Sequence, residues 1–206
     1  LTVKKDNIKE NKLIWIKNLK RIKKGPVIFF GNEFFDAIPI KQFKRINGKI
    51  YERFVKIEKN AKIKSFFKEA KKKDEKELKK YKLFDYNNFV EFPKIGLSEL
   101  DSITKKIKEL NGGLLLIDYG YLHQKNLNSL QSVKNHKKND IFSNIGNADI
   151  TSLVNFKLLR DYFQKNKLNV NNVVTQRFFL SRIGILTRAE IISKKMNFKE
   201  KSDLFL

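Results

Sequence analysis

Two unbroken runs of apolar residues stand out along the chain, and each ends in polar residues. The first run covers residues 27–30 and leads into Asn32 and Glu33; the second covers residues 114–117 and leads into Asp118. A short unbroken apolar run is typical of a strand that is buried on both faces of a parallel sheet. The pattern therefore predicts two buried parallel strands with acidic side chains at their carboxyl ends.

Between these strands the pattern changes to alternation and then to a lysine-rich stretch. Apolar residues alternate over residues 40–57 around Asn47-Gly48, a dipeptide typical of the turn of an antiparallel hairpin. Residues 61–82 are mostly Lys and Glu, which predicts a solvated helix or mobile insertion outside the core. The run at residues 71–73 is interpreted as an exposed lysine face.

Apolar residues at helical spacing predict several helices. Ser98, Thr151 and Thr187 are placed where each could cap a helix, and a short helix containing Trp15 is expected to end near Gly25-Pro26. Helix followed by strand and acid is the doubly wound α/β pattern, in which ligands bind beyond the carboxyl ends of the strands.

The remaining segments carry weaker signals. Residues 122–149 are polar and irregular in pattern, and we expect them to form a long loop. Residues 173–175 are interpreted as a short strand, and residues 178–183 as a helix.

Composition limits the class of protein. The 206 residues are 41% hydrophobic with 18 Phe, which excludes a disordered chain, and no apolar run approaches the ~20 residues that span a bilayer. The absence of Cys excludes disulfides, thiolate zinc sites and a cysteine nucleophile. The first residue is Leu1, and since no signal-peptide pattern follows it, we expect the sequence to be cut at its start.

The formal net charge of +23 suggests a polyanionic partner, but the make-up of the charge weakens that interpretation. Lys outnumbers Arg 38 to 7, whereas a surface that grips phosphates is expected to use the bidentate geometry of Arg. A Lys excess also results from AT-rich coding, so solvated lysine faces are the preferred interpretation.

The strand-end acids are the first candidates for chemistry. Glu33, Asp36 and Asp118 could bind a cation, orient an amine or guanidinium, or act as a base. Alternatively, Glu33 and Asp36 could cap a following helix. The two histidines, His123 and His136, lie in the irregular region without a third potential ligand nearby, so they give only weak support for a metal site. His136 together with Asp140 could form such a site. No P-loop, G-x-S-x-G or G-x-G-x-x-G motif occurs.

Five segments in one order resemble the MidA-like methyltransferases. Asn32–Ile40 reads N-E-F-F-D-A-I-P-I and resembles the family signature N-E-[FL]-[FL]-D-A-[LI]-P-V, with Gln42-Phe43 just behind it. Blocks at residues 115–121, 130–136, 146–156 and 175–184 resemble L-x-I-D-Y-G-Y, L-Q-A-V-x-x-H, G-E-A-D-L-T-A-H-V-D-F and T-Q-x-x-F-L-x-x-x-G. This class I family uses S-adenosyl-L-methionine and includes a mitochondrial complex I assembly factor that methylates an arginine of a complex I subunit.

The resemblance implies a fold and a domain layout. Residues 1–206 are expected to form part of an α/β, Rossmann-like class I methyltransferase sheet that is incomplete at both ends. A hairpin and lysine-rich helical insertion is expected at about residues 40–95. The family's glycine-rich cofactor loop would lie upstream of residue 1, so we expect the chain alone to be inactive and to bind the cofactor poorly.

The resemblance also implies site residues. The catalytic residues are expected to be Glu33, Asp36 and Asn32, with both acids facing a guanidinium. Five further residues are expected to bind substrate: Asp118, Tyr119, His136, Asp149 and Thr151. Within the chain, Asn32 and Phe34 are the candidates for contact with the cofactor S-adenosyl-L-methionine, and no metal is expected.

The chain departs from the family pattern at several positions. Asn147, Leu153 and Asn155 replace a Glu, a His and an Asp, while Ile145 replaces a Pro and Ser129 a Thr. The loss of two acids and one His puts in doubt that these positions keep, in this chain, any role they have in the family.

The expected activity is methylation of a protein arginine linked to respiratory complex I assembly. The partner is then a protein substrate from that complex, without specific nucleic acid or a membrane span, in the bacterial cytoplasm or alternatively the mitochondrial matrix. Two other functions stay open: a non-catalytic binding or scaffold protein that retains the fold, and a basic nucleic-acid-binding protein, which rests on charge alone.

Overall fold

A computed structural model describes residues 14–59, 62–123 and 126–205, with side chains as far as residue 202. The chain divides into two compact units, the first ending at Asn169 and the second running from Val170. The first unit contains a three-residue 3-10 helix (Leu19–Arg21) and the following strands and helices: β1 (Ile28–Asn32), β2 (Lys41–Ile46), β3 (Lys49–Ile57), β4 (Ile63–Glu69), α1 (Lys72–Lys80), β5 (Phe89–Phe92), α2 (Lys94–Glu109), β6 (Gly113–Ile117), β7 (Gly120–Tyr121), β8 (Gln131–Lys134), β9 (Lys137–Asn139), β10 (Asp149–Thr151), β11 (Val154–Asn155) and α3 (Phe156–Lys165). The second contains α4 (Gln176–Arg182), α5 (Ile185–Ser193) and α6 (Phe198–Phe205).

The two apolar runs form a parallel pair, as predicted. Strand β1 pairs with β6 from Ile28 opposite Gly113 to Asn32 opposite Ile117, so both strands end at one edge. Burial on both faces is wrong for β1, because Ile28 is 80% and Phe30 63% exposed. In the described part of the chain β1 pairs with β6 alone, and nothing covers the face that carries these two side chains.

A four-stranded antiparallel sheet in the order β4-β3-β2-β5 lies between β1 and β6 in sequence. The predicted hairpin is confirmed: Asn47 and Gly48 have φ angles of 48° and 79°, as a type I′ turn requires. The lysine-rich segment is not a single helix, because residues 63–69 pair along their whole length with β3 before α1 begins. Lys71–Lys73 are exposed as expected, but Leu78 is fully buried and belongs to the core, against the prediction.

The core of the first unit packs the antiparallel sheet against its helices. Its most buried large apolar side chains come from strands β2 and β5 and helices α1 and α3: Phe43, Phe92, Leu78 and Leu158. Helix α2 begins at Lys94 behind Pro93, so Ser98 lies inside the helix and does not cap it as predicted. The predicted apolar positions Leu100 and Ile107 are buried.

The region 122–149 has more regular structure than the long loop that the sequence predicts. Strands β8 and β9 form a hairpin whose two-residue turn, Asn135 and His136, has φ angles of 50° and 59°, and β10 pairs with the other side of β8. The sequence lacks the Asn-Gly signal for this turn. Thr151 lies on β10 and does not cap a helix; α3 is capped by Asn155, whose side chain accepts from the Leu158 N–H at 3.0 Å.

The three helices of the second unit correct several boundaries. Helix α4 confirms the helix predicted over residues 178–183, and Thr175 caps it by accepting from the Phe178 N–H at 3.2 Å. Residues 173–175 are not a strand, since they pair with no described segment. Helix α5 begins behind Gly184, at φ 86°, which places Thr187 inside the helix.

The predicted helix around Trp15 is also wrong, since only a 3-10 turn forms there and Trp15 is 78% exposed. Among the described residues, no helix has the length and apolar character to cross a membrane.

Candidate functional site

The candidate site lies at the shared carboxyl edge of β1 and β6. Strand β1 ends at Asn32, and Glu33 turns the chain by adopting a left-handed φ of 45° while its N–H donates to the Ile117 carbonyl at 2.9 Å. Phe35 is 5% exposed and packs against Gly96, where an added Cβ would approach the Phe35 ring to 2.8 Å. The turn is therefore fixed on one side by the sheet and on the other by α2. We call residues 33–36 the strand-end turn.

Asp118 holds the strand-end turn from the neighbouring strand. Its Oδ2 accepts from the backbone N–H groups of Phe34 at 3.2 Å, Phe35 at 2.8 Å and Asp36 at 3.2 Å. Its Oδ1 accepts from the Tyr119 N–H at 2.8 Å. Charge-assisted hydrogen bonds of this kind are stronger than neutral ones. The carboxylate of Asp118 is thus occupied with main-chain donors, and substrate binding by this residue stays a prediction.

The side chains that the turn presents face solvent. Asn32 and Glu33 are exposed, and the aromatic rings of Phe34 and Tyr119 are 62% and 63% exposed. Large exposed aromatic side chains beside a carboxylate are suited to contact a ligand that carries positive charge.

Asp36 is the half-buried acid of the turn. Burial raises the pKa of its carboxyl, and the negative charges of Asp118 and Glu33 raise it further, against backbone hydrogen bonds that lower it. Three carboxylates at one edge make the local field negative, although the chain as a whole is strongly positive. A cationic group would therefore be attracted to this edge specifically.

A second segment reaches the same edge. The N–H of Ser152 donates to the Asp36 carbonyl at 3.0 Å, and the N–H of Val154 donates to the Tyr119 carbonyl at 2.8 Å. Gly120 permits this approach, because a Cβ there would lie 2.2 Å from the Val154 carbonyl oxygen. Thr151 directly precedes Ser152 and therefore lies near the strand-end turn. Its hydroxyl accepts a hydrogen bond from the side-chain amide of Gln131 at 3.3 Å.

His136 and Asp149 are not joined to the strand-end turn. His136 lies exposed at the tip of the β8–β9 hairpin, and Asp149 lies exposed on β10 opposite Val133. No hydrogen bond or ion pair connects either of them to the turn in the described ranges. Asp140 accepts from the Phe142 N–H at 2.8 Å within its own loop. No group of three potential metal ligands occurs among the described residues, which include His123.

A buried carboxylate that the sequence did not single out supports the site from behind. Glu91 on β5 is 5% exposed and accepts from the Gln42 side chain at 2.7 Å and from the Ser129 N–H and hydroxyl. The Ser129 hydroxyl accepts in turn from the Leu153 N–H at 2.9 Å. Burial raises the pKa of the neighbouring Tyr121 to about 12, and the charge of Glu91 contributes. The signal available in the sequence is an acid within the apolar run of residues 89–92.

Two departures from the family pattern keep their local contacts. Asn155 caps α3, a position at which Asn and Asp are about equally favourable. Ser129 retains the hydroxyl that a Thr would place between Glu91 and Leu153.

The parallel strands, the acids at their shared edge and the packed helices are those of part of a Rossmann-like methyltransferase fold, which a solved structure described below shares. The family model described as "Putative S-adenosyl-L-methionine-dependent methyltransferase" matches residues 2–174, and the chain belongs to that family.

Similar proteins are methyltransferases by name. The chain is 31% identical over 176 residues to the protein arginine methyltransferase NDUFAF7 homolog, mitochondrial, of Caenorhabditis elegans, covering 84% of this chain and 41% of that protein. It is 26% identical over 183 residues to the protein arginine methyltransferase NDUFAF7, mitochondrial, of Homo sapiens, covering 89% and 41%. The chain thus spans about two fifths of the length of these relatives.

A solved structure supports the fold. A Burkholderia thailandensis protein crystallised with bound S-adenosyl-homocysteine superposes with a TM-score of 0.75 at 18% identity, covering 94% of this chain and 51% of that one.

Proposed function

We propose that the protein transfers a methyl group from S-adenosyl-L-methionine to an arginine of a protein substrate. The observation that carries the proposal is the strand-end turn, in which the carboxylate of Asp118 holds the backbone while Asn32, Glu33 and Phe34 stay exposed. The names of the relatives and the family of the chain support the same activity.

The exposed residues fit the reactive end of the cofactor. When bound, the cofactor supplies an electrophilic methyl group on a positively charged sulfonium. The rings of Phe34 and Tyr119 and the carboxylate of Glu33 offer favourable surroundings for such a cation. No G-x-G-x-x-G loop occurs in the 206 residues, so this chain's contribution is one side of the site. Asn32 and Phe34 are the residues we assign to cofactor contact.

Glu33 and Asp36 are the acids that we assign to the guanidinium. A protonated guanidinium is a poor nucleophile, and carboxylates that accept its N–H groups can orient one nitrogen toward the methyl group. The raised pKa of Asp36 makes its carboxylate a better acceptor for the proton that the nitrogen loses. Tyr119 and Thr151 would border the substrate, whereas His136 and Asp149 would need a substrate that extends along β8 and β10.

The finer assignments follow the relatives. We propose that the substrate is a subunit of respiratory complex I, as the resemblance to the MidA-like family implies; the similar proteins are named as mitochondrial protein arginine methyltransferases. The proposed location is the bacterial cytoplasm or, alternatively, the mitochondrial matrix, the compartment type that the names of the relatives give. Residues 40–95, which form the antiparallel sheet and α1, are proposed as an insertion between the two parallel strands.

The test uses the protein as the cell makes it. We expect it to transfer tritium from methyl-labelled S-adenosyl-L-methionine to protein from cells that lack the gene, with methylarginine appearing after hydrolysis. Glu33→Gln and Asp36→Asn are expected to lose at least about tenfold in rate while S-adenosyl-homocysteine still binds. Glu99→Gln, which removes an exposed carboxylate on α2, is the matched control and should keep the wild-type rate. Full transfer by Glu33→Gln would contradict the role of Glu33.

A further inference from the structure

The antiparallel sheet ends in a projecting arm. Strand β3 pairs with β2 only over Lys49–Glu52, but it pairs with β4 as far as Ile57 opposite Ile63. Residues 53–57 and 63–67 therefore form a two-stranded ribbon beyond the end of β2, which we call the arm. A ribbon of two strands is only marginally stable without a further strand or a covered face.

The arm carries apolar side chains that nothing in the described part of the chain covers. Val55 is 51% and Ile57 75% exposed, and Phe67 on the same face is 40% exposed. Phe66, on the opposite face, is 39% exposed although its ring stacks on Phe54 with centroids 5.9 Å apart. Contiguous exposed apolar residues of this kind mark interaction surfaces.

The outer edge of β4 has a defined hydrogen-bonding phase. The Glu58 N–H donates to the Lys62 carbonyl and the Ala70 N–H to the Ile50 carbonyl, both at 2.9 Å. Because bonded pairs alternate in an antiparallel ladder, the even-numbered residues of β4 bond to β3. The odd-numbered residues direct their N–H and C=O groups outward: Ile63, Ser65, Phe67 and Glu69. No described strand pairs with β4 on that side.

The charge of the arm indicates the kind of partner. The arm and the residues that connect its strands, 53–67, contain five basic side chains and one acid, a net charge of +4. A second copy of the chain would bring two arms of like charge together, and lysines on an edge strand oppose such self-pairing. An acidic partner gains from the same lysines.

The edge also selects among acidic partners. Nucleic acids and anionic lipids offer phosphate acceptors, but they offer no regular row of donors for the outward carbonyls of β4. An extended polypeptide offers both, in the spacing that a strand edge requires. Its alternate apolar side chains would lie beside Ile63 and Phe67, the apolar residues of β4 on the same face as Val55 and Ile57.

From the unpaired edge, the exposed apolar residues and the net charge together, we propose that the arm binds an acidic, extended segment of another protein, which adds as a fifth strand beside β4. This interaction is separate from the methyl-transfer chemistry, and its test does not depend on activity.

The test measures binding of a fluorescent seven-residue peptide, the length of β4, with Glu and Val alternating. The matched peptide carries Lys in place of Glu. We expect the acidic peptide to bind at least about tenfold more tightly, and its affinity to fall as salt rises. Equal affinity for the two peptides would overturn the proposal.

The edge itself is tested with Ser65→Pro, which removes an outward N–H and leaves the ladder to β3 intact. Proline is tolerated on an edge strand at such a position. We expect a loss of about tenfold in affinity, whereas Ser65→Ala, which keeps the N–H, should bind within about twofold of wild type.

Hydrogen exchange keeps the test valid if the proline variant does not fold. In the wild-type protein the acidic peptide should slow exchange of the Ser65 and Phe67 amides, while the Lys64 and Phe66 amides are protected with or without peptide. Unchanged exchange at Ser65 and Phe67 would overturn the proposal. Binding of a mixed single-stranded oligonucleotide, or self-association, that displaces the peptide and persists in Ser65→Pro would also overturn it.

Discussion

Acidic side chains occupy two contrasting environments in this protein. In the antiparallel sheet region, Asp74 is 1% exposed and is bonded by the ammonium groups of Lys41, at 3.1 Å, and Lys94, while Lys41 also pairs with Glu52 at 2.7 Å. At the parallel strand ends, Glu33 is exposed and forms no ion pair among the described residues. The first group of acids is satisfied by its own protein, and the second is available to a ligand.

The same contrast exists within the strand-end edge. Asp118 is committed to three backbone N–H groups of the turn, whereas Asp36 accepts only from local backbone and has a raised pKa. Both residues are aspartates, so the hydrogen-bond donors near each carboxylate decide whether it holds the backbone or can bind a ligand. Perturbed carboxyls that lack a cationic partner are better candidates for ligand binding than paired ones.

The largest expected effect is at Asp118. Asp118→Ala leaves three backbone N–H groups without their charged acceptor, and we expect the free energy of unfolding to fall by about 3 kcal/mol. Asp118→Asn keeps one side-chain oxygen and should lose less. Urea unfolding at neutral pH measures both. If Asp118→Ala is as stable as the wild type, the turn is not held in the way that the hydrogen bonds indicate.

The next effect is at the buried acid. Asp74→Asn removes the charge that pairs with two lysines, and because those lysines are about a third exposed we expect a loss of about 2 kcal/mol, below the range for fully buried pairs. Burial acts to raise the pKa of Asp74, but the hydrogen bonds from Lys94 and Lys41 outweigh it and the pKa is lowered.

The pH dependence of that loss has a defined sign. A carboxyl whose folded pKa is lowered contributes stability above its unfolded pKa, and this stability is lost as pH falls through the folded pKa. The difference between the wild type and Asp74→Asn should therefore be full at neutral pH and shrink in acid. Glu99→Gln, which removes an exposed carboxylate on α2, is the matched control. A difference that grows in acid would contradict the pairing.

Much of the carboxyl edge of β1 and β6 could be predicted, because short local patterns in the sequence determine it. The apolar runs 27–30 and 114–117 place both strands, and the polar residues that follow them lie at one edge because parallel strands share their direction. The Asn47-Gly48 turn was predictable for the same reason, since its φ angles are a local property.

Other features depend on contacts between distant residues. Asp118 accepts from backbone N–H groups more than eighty residues away in sequence, and Glu91 accepts from Ser129, which lies 38 residues away. The local sequence around either acid therefore does not predict these partners. The lysine-rich pattern predicts a solvated helix or mobile insertion where β4 forms, because the pairing of β4 with β3, which decides its conformation, leaves no local signal. The exposure of Ile28 also depends on distant parts of the chain, because no described segment packs on that face of β1.

A smaller effect tests a departure from the family pattern. Asn155→Ala removes the cap of α3 and should cost about 1 kcal/mol, whereas Asn155→Asp should stay within about 0.5 kcal/mol of wild type. Thermal unfolding of both variants measures the difference. If the Asp variant is markedly more stable or more active, the acid of the family pattern has a role that Asn does not fill.

The smallest effect has the opposite sign to that of Asp74. The pKa of Asp36 is raised by burial, then by the charges of Asp118 and Glu33, so its ionised form is disfavoured in the folded state. The stability that this carboxyl contributes is full below its unfolded pKa and is lost as pH rises through the folded pKa. At neutral pH Asp36→Asn should therefore raise the free energy of unfolding, by less than about 0.5 kcal/mol because solvent screens this partly exposed carboxyl, and the gain should vanish in acid. A loss of stability at neutral pH would mean that Asp36 is paired like Asp74, and would remove it as a ligand-facing acid.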